Sequence, residues 1–248
     1  MKSPLRKRLP RELKSEFGKY LVVFIMMAIT IGFVSGFLVA DGSMLRAYDD
    51  SFQKYNIEDG YFQTKKKLTP AQKEDIEKSD VKVYENFYIE QKLTNGSTIR
   101  FFKNRKEVDK VCLMKGKMPK KSGEIAVDRM YADNNELKVG DTVKSRKKTF
   151  RIDKDMKITG LVALSDYSCL FSDNSDMMFD AVKFGVAIVT DKDFEALNQV
   201  KVQYNYAWIY DKKPATEKKE KKMAEDLMED MADVVTIESF VPQYQNQS

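Results

Sequence analysis

The chain has 248 residues, with 43 Lys and Arg against 38 Asp and Glu, two Cys and no His. The absence of histidine excludes Ser-His-Asp and Cys-His catalysis and most zinc chemistry. The formal charge of +5 sits in residues 1–20, which hold seven basic and two acidic groups. The rest of the chain balances at 36 of each sign, so no diffuse basic surface calls for nucleic acid.

Within residues 1–20, Leu9, Leu13, Phe17 and Leu21 fall four apart among Lys and Arg. This spacing predicts an amphipathic basic leader helix on the inner membrane surface, with Pro10 in its first turn. A disordered basic tail is the alternative. Residues 21–40, LVVFIMMAITIGFVSGFLVA, carry no charge. As a helix they reach about 30 Å, the thickness of a bilayer core. They predict a transmembrane helix, with the basic flank on the cytoplasmic side and residues 41–248 outside. A cleaved signal peptide competes, but its apolar core is usually only about 7–15 residues. Gly32 and Gly36 form a G-x-x-x-G, a candidate helix–helix contact. In residues 41–58, Met44, Leu45, Tyr48, Phe52 and Tyr55 continue at helical spacing and predict a stalk helix.

Residues 59–248 predict an extracytoplasmic α+β domain. A strand at 61–64 precedes a helix capped by Thr69, with Pro70 in its first position, that ends near Ser79-Asp80. Residues 81–94 alternate as a strand. Asn95-Gly96 predicts a type I′ hairpin turn into a partner strand at 97–103. A link containing Val108, Val111 and Leu113 follows, then a strand at 124–128 and a short helix at 129–134. A tight turn at 137–141 leads to strands at 142–145 and 149–164. Residues 165–180 are irregular and polar, yet hold Tyr167, Leu170, Phe171, Met177, Met178 and Phe179. They form either a partner-contact loop or a flap laid on the core. A strand at 184–190, a helix at 191–197, a strand at 202–210, a helix at 214–233 and a strand at 234–240 complete the chain. Met223, Leu227 and Met231 give the last helix its apolar stripe. Tyr204, Tyr206, Trp208 and Tyr210 share one strand face, as core residues do. The order predicts ferredoxin-like α+β halves around a β-rich insertion.

No Walker A, no G-x-G-x-x-G after a strand and no G-x-S-x-G is present. No catalytic, cofactor-binding or metal-binding residue is assigned, and no enzyme is expected. Asp173, Asp176 and Asp180 lack the glycine and terminal Glu of a calcium loop. Cys112 and Cys169 form one disulfide or stand as two small buried hydrophobes.

One stretch is more specific. Leu113-Met114-Lys115-Gly116-Lys117-Met118-Pro119, Ser122-Gly123-Glu124-Ile125-Ala126-Val127 and Leu137-Lys138-Val139-Gly140-Asp141-Thr142-Val143 follow the order G-x-x-P, G-E-I-x-V, L-K-V-G-D-x-V. This resembles the outer domain of FtsX-like (MacB-type) ABC transporter permeases, as does the layout of leader, membrane helix and outer domain. The resemblance implies a permease subunit in the plasma membrane with its N-terminus in the cytoplasm. Its partners would be a cytoplasmic ABC ATPase, which alone binds ATP, membrane lipids, and further permease helices or a second permease copy. The outer domain would relay ATP-driven motion to export of peptide or lipid-like cargo, or to cell-envelope partners. Such permeases have more membrane helices after the outer domain, so the expectation is the N-terminal part of a longer protein. A free-standing, membrane-anchored binding or sensor domain is the alternative.

Overall fold

The computed structural model describes residues 14–144, 155–168, 170–172, 178, 180–197 and 201–244. The basic leader up to residue 13, Cys169, Asp173, Asp176, Met177 and Phe179 lie outside them. The chain divides into two units, Met1–Phe52 and Gln53–Ser248.

The described part of the first unit is helical, and its helix runs on to Tyr55. Helix α1 (Phe17–Tyr55) runs unbroken for 39 residues and none of them is buried. Its length is about 58 Å at 1.5 Å per residue, roughly twice a bilayer core. The uncharged run 21–40 and the residues read as a stalk therefore belong to one helix. Thr30 returns its hydroxyl to the Met26 carbonyl at 2.8 Å, which lets a polar side chain sit in an apolar stretch.

The second unit is α+β. Strands β1 (Gly60–Thr64), β2 (Val81–Glu85), β10 (Val202–Tyr210) and β11 (Ile237–Pro242) lie in the order β11-β1-β10-β2, all antiparallel. Helix α2 (Pro70–Glu77) joins β1 to β2, and α5 (Glu217–Val234) joins β10 to β11. The two ends of the sequence thus build a single ferredoxin-like lobe. Thr69 and Gln72 close a capping box at the start of α2. Helix α5 starts later than expected, because Thr216 rather than a residue near Pro214 caps it. Leu227 and Met231 are buried and Met223 packs beside them against Phe62, Val83, Tyr206 and Trp208. Trp208 stacks on Phe240 with centroids 4.6 Å apart.

The described residues between β2 and β10 form the second lobe. It contains β3 (Tyr88–Lys92), β4 (Thr98–Lys103), β5 (Cys112–Gly116), β6 (Glu124–Asp128), β7 (Thr142–Val143), β8 (Met156–Ala163) and β9 (Phe184–Val189), with α3 (Arg129–Asn134) and α4 (Asp191–Leu197). The sheet continues from β10 through β3-β4-β9-β6-β8-β5, and β7 pairs with β8. Pairs β4–β9 and β6–β8 are parallel. Ile125, Val127, Tyr131, Ile158 and residues 186–189 are buried at its centre.

Other expectations change as well. The strand read at 81–94 is interrupted at Asn86-Phe87, although β2 and β3 keep one register along β10. Asn86 still donates its N–H to the Asn205 carbonyl at 2.8 Å, and Phe87 turns edge-on to Tyr204 and Tyr206. The line bends there as it passes from one lobe's core to the other's. The hairpin turn is not type I′, which needs positive φ at two residues. Only Gly96 has it, at φ 88°. Leu93 accepts from Gly96 N–H and donates to Ser97 C=O, while Asn95 Oδ1 accepts from Ser97 N–H. This is the three-residue loop with a left-handed glycine. Finally, the link after Val111 contains strand β5, on the sheet edge and largely exposed.

Candidate functional site

Helix α1 ends at Tyr55, and the next residues enter the domain through two facing left-handed positions, Asn56 (φ 49°) and Asp109 (φ 43°). Asn and Asp are the non-glycine residues that take this conformation most readily. Lys110 N–H donates to Tyr55 C=O at 2.8 Å and Asp109 N–H to Asn56 C=O at 3.0 Å. Asn56 Nδ2 donates to Glu107 C=O at 2.7 Å, and the Tyr55 hydroxyl to Cys112 Sγ at 3.0 Å. Residues 55–58 and 107–112 are therefore laced side by side.

Beneath this lacing lies a buried charge cluster. Arg105 pairs with Asp166 at 2.7 Å, their side chains only 5% and 9% exposed. The guanidinium also sits 4.3 Å over the Phe102 ring. Asp109 Oδ1 accepts from Glu58 N–H at 3.0 Å and from the Ser165 hydroxyl at 3.3 Å. Glu58 and Asp109 are themselves buried. Burial first, then the Asp109 and Asp166 charges, push the Glu58 carboxyl well above the ordinary range. Asp109 rises to about 6 through burial and the nearby Asp166, with Arg105 opposing. Burial works against the charge of Arg105 too, but Asp166 and Asp109 outweigh it and raise its pKa. Arg105 thus pairs with Asp166 while the Glu58 and Asp109 carboxyls, both raised, lie beside them in a low-dielectric site.

The expected partner-contact loop begins at this cluster. Ser165–Tyr167 is a single 3-10 turn. Tyr167 is half-buried, its ring 5.7 Å from Phe102. Its hydroxyl accepts from Arg100, which also donates to Glu90 Oε1 and to Ser172 C=O. The Arg100 plate lies 4.6 Å from the Tyr88 ring and 4.9 Å from that of Phe184. Leu170 is fully enclosed in the core, which corrects the reading of it as surface: Arg100 draws the turn inward and Leu170 fills the space beneath. Phe171 is 37% and Met178 82% exposed. A cavity of about 630 Å³ lies between Glu58, Tyr88, Arg100, Tyr167, Phe171 and Glu238.

On α1, a Cβ built on Gly32 or Gly36 meets nothing within 4 Å. Among the described residues, no group of three His, Cys, Asp or Glu is placed to hold a metal. Cys112 is half-buried on β5 with a free thiol. The cluster of Glu58, Arg105, Asp109 and Asp166, like Arg100, escaped the sequence reading. The stretch NRKEVDK around Arg105 and Asp109 has the composition of a solvated loop. The single hint was its lack of Gly and Pro between two strand-like stretches.

No family model matches the chain, and no curated protein does. Among the solved structures similar to it are two transporter domains. One is the extracellular domain of the noncanonic ABC-type transporter YknZ from Gram-positive bacteria, with 10% identity over 74% of this chain and 98% of that one, TM-score 0.34. The other is the periplasmic region of MacB from Actinobacillus actinomycetemcomitans, with 11% identity over 70% and 83%, TM-score 0.35.

Proposed function

We propose that this chain is the N-terminal part of an ABC transporter permease subunit. The observation that carries the reading is the lacing of residues 55–58 against residues 107–112. Tyr55 and Asn56 are tied by three hydrogen bonds to residues 107–110, and a buried ion cluster follows directly. Hydrogen-bond networks of this kind are one route by which motion passes between elements. The order of G-x-x-P, G-E-I-x-V and L-K-V-G-D-x-V in residues 113–143 supports the same reading.

In this account the basic flank keeps the N-terminus in the cytoplasm. A separate ABC ATPase binds ATP and moves the membrane helices. The outer domain passes that motion to export of a peptide or lipid-like cargo, or to a cell-envelope partner. Gly32 and Gly36 face another permease helix, and Phe171 and Met178 meet the outer partner. Reading the gene past codon 248 tests this. Three or more further apolar runs of about twenty residues support the permease. A stop codon directly after Ser248 would overturn it in favour of an anchored binding domain.

A further inference from the structure

The segment that carries the sequence pattern also builds a pocket. Residues 117–121 cross strand β8 at residues 157–159, and Val139-Gly140 close the other side, enclosing about 380 Å³. This falls within the size range of small-molecule sites, roughly 300–1,000 Å³. Met118 and Val139 give it apolar surface over the buried Ile158, and Lys117, Lys120, Lys121 and Lys157 stand around it.

Both walls are fixed before any ligand arrives. Glu124 accepts from Lys120 N–H and Lys121 N–H, each at 2.9 Å, and these backbone bonds hold its carboxyl below the ordinary range. Buried Asp193 accepts from the Ser122 hydroxyl and, at 3.0 Å, from Gly123 N–H. Lys117 N–H donates to Thr159 C=O and Gly140 N–H to Ile158 C=O, both at 2.8 Å. Lys138 N–H donates to Asp141 Oδ2 at 2.8 Å. The one carboxylate of the pocket is thus directed at the backbone. Among the described residues, none of the four lysines has an ion-pair partner.

The chain beyond residue 20 is electrically balanced, yet four lysines against a single glutamate, Glu124, line this apolar hollow. A bare anion would leave the apolar interior unused, and a neutral apolar molecule would leave the lysines unused. We infer that this pocket binds an anionic amphiphile, an alkyl chain lying on Met118 and Val139 with a phosphate headgroup among the lysines. This assignment is independent of the permease reading.

The test uses the full chain in nanodiscs of zwitterionic lipid. The probe is a lysophosphatidic acid with a photoreactive diazirine in its alkyl chain, and crosslinks are mapped by mass spectrometry. Labelling of residues 21–40 reports partition into the bilayer and serves as the internal control. The expected result is strong additional labelling at residues 118 and 139. Unlabelled lysophosphatidic acid should compete at least tenfold better than lysophosphatidylcholine, and inorganic phosphate should not compete. Exchange of Lys117, Lys121 and Lys157 to Gln should reduce pocket labelling at least tenfold and leave the control unchanged. Val139→Asp, at an exposed position, should do the same through the apolar wall. Equal competition by the zwitterionic lipid, full competition by inorganic phosphate alone, competition only by an acidic peptide, or labelling confined to residues 21–40 would each overturn the proposal.

Discussion

Replacing Arg105 by Met is expected to be the most damaging change near the end of α1. It removes the one cation that faces Asp166, Asp109 and Glu58, all buried, and leaves the Phe102 ring without its cover. Taking one partner from a buried ion pair costs about 3–5 kcal/mol. For a domain of this size that lowers Tm by about 6–20 °C. The cost depends on pH with a definite sign. Asp109 has its pKa raised from 3.8 to about 6 in the folded protein, so the native state binds a proton that the unfolded chain has released. Stability falls as pH rises through that window, by about 3 kcal/mol from this group at 1.36 kcal/mol per unit. Without Arg105 the raised pKa climbs further, so the deficit of the variant is larger at pH 8 than at pH 5. The full chain in nanodiscs reports this directly through its single tryptophan, Trp208, which is fully buried. Thermal unfolding followed by its emission, at both pH values, is the assay. A Tm loss below about 2 °C at pH 8, or a larger loss at pH 5, would refute the reasoning.

Gly60→Ala places a Cβ 2.2 Å from the Trp208 ring and 2.7 Å from the Val241 carbonyl. It should cost about 1–3 kcal/mol by overpacking and red-shift the Trp208 emission as the core opens. Thr69→Ala removes one half of the capping box on α2 and should cost about 1 kcal/mol, measured as a Tm loss of about 2–4 °C. Gly32→Ile and Gly36→Ile meet open space, so they should leave Tm unchanged within error while abolishing helix association in a membrane two-hybrid or crosslinking assay. Unchanged association would remove Gly32 and Gly36 from the partner interface.

Short-range signals were readable where local chemistry decides. The Thr69 cap, the strand Glu124–Asp128 followed by Arg129–Asn134, the helix Asp191–Leu197 and the strand Val202–Tyr210 agree with the sequence reading to the residue. The aromatic face of β10 also proved to be core at Tyr206, Trp208 and Tyr210. Long-range pairing was less legible. That the first and last elements form one ferredoxin-like lobe depends on β1 lying between β10 and β11, which no local pattern encodes. Strand β5 went unread because an exposed edge strand lacks the in-out alternation that reveals a half-buried one. The turn at residues 93–97 was misread because Asn-Gly suits both hairpin types, and the choice lies in how many residues β4 leaves unpaired. The charge cluster was the least readable feature. A sequence rich in Lys, Glu and Asp looks solvated, and only the fold brings Arg105 and Asp166 together across 61 positions. The same holds for Leu170, which looked like a surface residue until Arg100 was seen to draw its loop inward.

The most direct test of the central claim is to tag the native gene product, solubilise its own membrane gently, and identify what co-purifies. The account predicts an ABC ATPase in near-stoichiometric amount, retained in the Gly→Ile-free native protein and active in ATP hydrolysis. Recovery of the intact, folded chain with no ATPase bound would contradict it.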